Sequence, residues 1–178
     1  MTPQDLGDCP FEPCDCNTAN ANGTLLDVAR YLGVDDLWER GHRGEDIVIG
    51  IVDGGITAQN RTISSVDRNH VGDDDCHPNG IGNLSWPRPL VPNVSGGWPP
   101  NSWGTTGVDW CWHGNMVATD ALGMAPNAQI FDIRISDSVL SDALAGYEWA
   151  INHYRDHGTP HILNNSWGLH REGMAQEY

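Results

Sequence analysis

The chain has 178 residues, enough for one domain with a sizeable core. It carries 24 acidic against 9 basic residues, a formal net charge of -15, and every basic residue is Arg. That balance argues against nucleic acid and anionic membrane as partners, because no basic patch is there to release counterions from a phosphate backbone. It suits an acidic soluble surface or, as a sharper hypothesis, adaptation to high salt, where screening weakens self-repulsion.

No apolar run approaches the roughly 18 residues of a membrane span, and the N-terminus lacks the basic-then-apolar pattern of a secretory signal. Residues 1–23, rich in Pro, Asp, Asn and Cys, read as an irregular leader. Cys9, Cys14 and Cys16 fall there; Cys76 and Cys111 make the total odd, so at least one thiol is unpaired or bridges elsewhere. The spacing of the first three is not that of a zinc finger and no His is near, which favours a disulfide or disorder over a metal site.

From Thr24 the pattern becomes helical. Leu25, Val28, Ala29 and Leu32 recur on one face before Gly33, and a second short helix carries Val34, Leu37 and Trp38 before Gly41. Then Ile47-Val48-Ile49-Gly50-Ile51-Val52, nearly all apolar, runs into Asp53-Gly54-Gly55. This is the signature of a strand buried on both faces that delivers one carboxylate to its C-terminal end, where open α/β sheets carry their chemistry. Residues 58–110 hold no strong period and read as an inserted loop near the rim of the site. Within it Asp73, Asp74 and Asp75 offer oxygen ligands for calcium, but three consecutive acids do not all point at one ion, and a solvated loop is the simpler reading.

Periodicity returns with a helix over His113–Leu122, which Gly123 closes and Pro126 forbids to continue. A strand over Gln129–Ile135 follows. Ser138 or Ser141 then caps a helix whose apolar face is read as Leu140, Leu144, Tyr147, Ile151 and Tyr154, and Gly158 ends it. After Thr159-Pro160 a short strand, His161–Asn165, is broken by Ser166-Trp167-Gly168. Strand, helix, strand, helix, strand is the alternation of an α/β fold with a mostly parallel sheet.

Singly, the polar residues carry little: an Asp at a strand end caps a turn, and an isolated His is most often a surface imidazole. Their order carries more, because a strand-borne Asp ahead of a helix-opening His suits an acid that fixes the tautomer of a general base. The segment Gly44–Gly55 resembles the stretch around the catalytic Asp of the subtilisin-like serine proteases, the subtilases, with Trp38 and Gly41 also in place. His113-Gly114-Asn115-Met116-Val117-Ala118 resembles the family's His-Gly-Thr-His/Met-Val-Ala helix. Gly123-Met124-Ala125-Pro126-Asn127-Ala128 resembles its Gly-Val-Ala-Pro-x-Ala turn. Glu148-Trp149-Ala150-Ile151 and Ile162–Gly168 resemble the helix and strand that frame its substrate cleft.

The resemblance implies a subtilisin-like three-layer fold over residues 24–178, incomplete at its C-terminal side, and serine-type endopeptidase activity on peptide or protein substrates. In that mechanism Asp53 orients and His113 is the base, while Ser166, Trp167 and Gly168 offer an extended peptide a strand to pair with. Trp167 has two readings, cover for an apolar subsite or ordinary core packing. Gly54 stands where the family has Thr or Ser, and Asn115 where it has Thr. Nine residues between His113 and Gly123 leave no room for the family's calcium loop there, so no cofactor and no metal are expected. The family's Gly-Thr-Ser-Met-Ala-x-Pro nucleophile motif occurs nowhere in the sequence, and no Gly-x-Ser-x-Gly replaces it.

Two expectations follow: part of an endopeptidase whose serine lies in a missing C-terminal segment of the same domain, or a non-catalytic peptide-binding relative. A nucleotide-binding domain fits poorly, since no G-x-G-x-x-G follows the central strand. Subtilases are commonly secreted, but the compartment stays open. Asn22, Asn60, Asn83, Asn93 and Asn164 lie in Asn-x-Ser/Thr triplets, which an Asn-rich chain contains often.

Overall fold

The computed structural model describes residues 24–62, 90–107, 113–135 and 140–168. The leader at 1–23, all five cysteines, Asp73–Asp75, Ser138 and the tail from 169 lie outside the described residues. The chain divides into two compact units, 1–42 and 43–178.

In the first unit two short helices follow one another, α1 (Leu25–Leu32) and α2 (Val34–Glu39). Thr24 and Asp27 close a capping box on α1: the Thr24 amide donates to Asp27 Oδ2 at 2.6 Å and the Asp27 amide to Thr24 Oγ1 at 3.3 Å. Gly33 ends the helix at φ 71, a conformation that costs a glycine little.

The second unit is a four-stranded parallel sheet in the order β2-β3-β1-β4. β1 (Val48–Asp53) lies inside, between β3 (Gln129–Arg134) and β4 (Ile162–Asn164), and all six of its residues are buried. That is why its sequence is a continuous apolar run rather than an alternation. On one face Ile49, Ile51 and Ile130 pack with Val117, Ala118 and Leu122 of α3 (His113–Met124). On the other, Val48, Val52, Phe131 and Ile133 pack with Ala143 and Ala150 of α4 (Leu140–His157). Helix, sheet, helix gives the three layers.

Two expectations are corrected. β2 (Val94–Trp98) is a sheet strand inside a stretch that sequence reads as loop; Ser95, Gly96 and Gly97 give it no β-branched run to announce it. The face of α4 is also different. Leu140, Leu144, Ile151 and Tyr154 are all more than half exposed, and the helix buries Ala143, Gly146 and Ala150 instead. Small residues win because the helix lies close over large sheet residues: a Cβ on Gly146 would sit 3.1 Å from Ile133 Cγ2. Phe131 fills the remaining space against Trp149 and His153, with ring centroids 5.9 and 5.1 Å away. Ser141 lies inside α4 and does not cap it.

Candidate active site

β1 runs its last residue, Asp53, to the C-terminal edge of the sheet, where the side chain is 1% exposed. A carboxylate taken that far from water needs partners. It has the Gly54 amide, which donates to Oδ1 at 2.8 Å, and the imidazole of His113, whose Nδ1 lies 3.0 Å from Oδ1 and 2.9 Å from Oδ2. A carboxylate there accepts from Nδ1–H, which assigns the tautomer and leaves the lone pair on Nε2. The His113 side chain is 32% exposed, so the pair has a buried acid and an open base.

Glycines let the two meet. Gly55, at φ 120, turns the chain after β1, and Gly114 brings the first turn of α3 onto the Gly55 carbonyl. A Cβ on Gly114 would collide with that oxygen and come within 3.3 Å of Asp53 Oδ1. Gly114→Ala is therefore expected to push His113 away from Asp53 and to cost about 1–3 kcal/mol of stability, read from denaturant midpoints.

The first turn of α3 is held from its other side by Asn115, 4% exposed. Asn115 Oδ1 accepts the Thr57 amide at 2.8 Å and Nδ2 donates to Thr57 Oγ1 at 2.5 Å. The Asn that departs from the family's Thr is thus an anchor, reaching a loop that a shorter side chain would not. Asn115→Ala leaves the Thr57 amide buried without an acceptor, and a loss of about 2–3 kcal/mol is expected in the same measurement.

β4 is parallel to β1, with Asn164 opposite Ile51, so Asn165–Gly168 leaves the sheet at the edge that carries Asp53. Ser166 and Gly168 are exposed, and Trp167 packs against the α4-side core with Tyr147 and Leu163. Tyr147 Oη donates to Asn165 Oδ1 at 2.6 Å and Ser166 Oγ to Asn164 Oδ1 at 2.8 Å, which fixes the chain on leaving β4. Among the described residues, no three His, Cys, Asp or Glu side chains are grouped to hold a metal ion.

Sequence reasoning missed one charged group beside the site. Asp132, in the middle of β3, is 1% exposed. An acid between Phe131 and Ile133, in the apolar middle of β3, was the available signal.

The sequence model of the subtilase family matches residues 44–177. The chain belongs to the subtilase family. A search of curated proteins finds no match to the chain. The matched span holds the whole parallel sheet, both helices that flank it and the Asp53–His113 pair. Family membership makes this a serine-peptidase domain of the subtilase type.

Proposed function

We propose that Asp53 and His113 are the acid and the base of a Ser-His-Asp endopeptidase, and that its nucleophile is not among these 178 residues. The observation that carries the reading is the double contact of His113 Nδ1 with a buried carboxylate, which leaves Nε2 as the open, basic nitrogen. In the acylation step Nε2 takes the proton of the serine Oγ as that oxygen bonds to the scissile carbonyl carbon. The imidazolium so formed keeps Nδ1–H on Asp53, whose charge stabilises it, and Nε2–H then passes to the leaving amine. Deacylation repeats the sequence with water in place of the serine. Ser166, Trp167 and Gly168 form one wall for an extended substrate, which pairs with the exposed backbone beyond β4 as an added strand.

On this reading the 178-residue chain alone hydrolyses no peptide amide, and His113→Ala changes nothing measurable in it. The experiment reads the DNA beyond the codon for Tyr178 for a Gly-Thr-Ser-Met-Ala-x-Pro segment within about one domain length, expresses the joined chain and assays it on casein. Hydrolysis that His113→Ala abolishes supports the assignment. Hydrolysis by the short chain overturns the missing-serine part, and a full-length chain that binds peptide without cutting it leaves the peptide-binding alternative.

A further inference from the structure

Alternate strand residues share a face, and β1 and β3 pair Ile51 with Asp132 and Asp53 with Arg134. Asp53, Asp132 and Arg134 therefore project from the face that α3 covers, alongside Ile51 and Ile130. Asp132 Oδ2 accepts the Gly104 amide at 2.6 Å; Oδ1 is equally buried, and the Ile56 amide is the other backbone donor that acts on the carboxyl. Burial pushes this carboxyl up to about 7 and the Asp53 charge adds to the rise, against the pull of the Gly104 and Ile56 amides and the Arg134 guanidinium.

Gly104 leads from Asp132 to the site in a short run of contacts. Its carbonyl accepts the Ala58 amide at 2.9 Å, and the neighbouring pair Thr57 and Thr105 form an antiparallel bridge. Thr57 is the residue that Asn115 grips with both ends of its amide, two positions after His113. We propose that Asp132 is a positioning residue of the site, whose protonation state sets how the 99–107 segment seats the first turn of α3, and with it His113, against Asp53. His113's role in this statement rests on the proposed function; the mechanical link from Asp132 to α3 does not.

The chemistry of the carboxyl supports coupling over simple anchoring. Holding the Gly104 and Ile56 amides needs only neutral acceptors, and a buried ionisable group beside Asp53 is a costly way to provide them. Protonated, Asp132 grips Gly104 through an ordinary hydrogen bond. Ionised, it makes a shorter, charge-assisted bond and places a second negative charge behind Asp53. The charged groups around it are Asp53 on β1, Arg134 on β3 and, across Gly104, Arg61, whose guanidinium stacks 4.0 Å over Trp103.

The test is a pH titration of the isotopically labelled 178-residue chain, following the Asp132 carboxyl carbon, the amides of Gly104, Ala58 and Thr57, and those of the first turn of α3. All are expected to share an inflection near pH 7. Asp132→Asn is expected to remove the Asp132 component from every one of them. Asn115→Ala, with Asp132 intact, should keep the inflection at Gly104 and lose it in α3. An inflection confined to Gly104, or a response of the α3 amides that is the same with and without the Asp132 carboxyl, overturns the proposal. Should Asp132→Asn fail to fold, the Asn115→Ala comparison decides it alone. No step measures proteolysis, so the outcome is independent of whether the serine-peptidase assignment holds.

Discussion

His113→Ala, made in a chain that also supplies the serine, is expected to lower kcat by about a million-fold, the scale of loss when a subtilisin-type base is removed. Asp53→Asn should cost less, on the order of ten-thousandfold. The difference follows from the geometry. On the proposed mechanism His113 Nε2 handles the proton itself, whereas Asp53 acts through Nδ1, and an Asn can still touch the ring but offers it the wrong tautomer or a weaker acceptor. KM is expected to move little in either variant, since neither side chain is part of the wall proposed at Ser166–Gly168. Turnover on a chromogenic peptide amide checks this, and His113→Ala with more than about a thousandth of the parent kcat would remove His113 from the base role.

The second large effect is on stability. The buried Asp132 carboxyl, raised to about 7 from its ordinary 3.8, binds its proton more tightly in the folded chain than in the unfolded one. The resulting contribution is fully present below about pH 4, falls as pH rises through 7, and is flat beyond that. A separation of about three pH units corresponds to about 4 kcal/mol. Asp132→Asn carries no such proton, so the stability of the variant relative to the parent should rise by about that amount between pH 4 and pH 8. Urea midpoints at several pH values test it, and taking the difference between the two proteins cancels the titration of groups they share, such as Glu45. Parallel curves for parent and variant would show that Asp132 holds its proton no differently on folding.

Much of the fold was legible because the residues that build it obey one rule at a time. β1 is an unbroken apolar run since both its faces are covered, and the helix from His113 opens and closes on recognisable residues. β2 was illegible because it earns its place through backbone hydrogen bonds to β3, with two glycines that let Phe131 and the Asp132 backbone approach. The face of α4 was misread because hydrophobic size was taken as the marker of burial, whereas the fully buried positions of the helix are Ala143, Gly146 and Ala150, with larger side chains such as Tyr147 and Trp149 packing only in part. At the site, Asp53 and His113 stood out from their order and setting. Asn115, Thr57 and Asp132 did not, because what makes them matter is a partner some tens of residues away, which no local spacing encodes.

The close approach of Gly114 to Gly55 also bears on how this chain can vary. Positions 55, 107 and 114 face backbone or the Asn115 amide at distances that leave no room for a side chain, while Met116, Thr119 and Asp120 point outward from the same helix. A library randomised over 113–120 should therefore return folded clones with almost any residue at 116, 119 and 120, and nearly invariant glycine at 114. The tolerance of the helix to mutation would alternate with its turn, and the reading frame of that alternation would locate the Asp53 carboxylate without any assay of its chemistry.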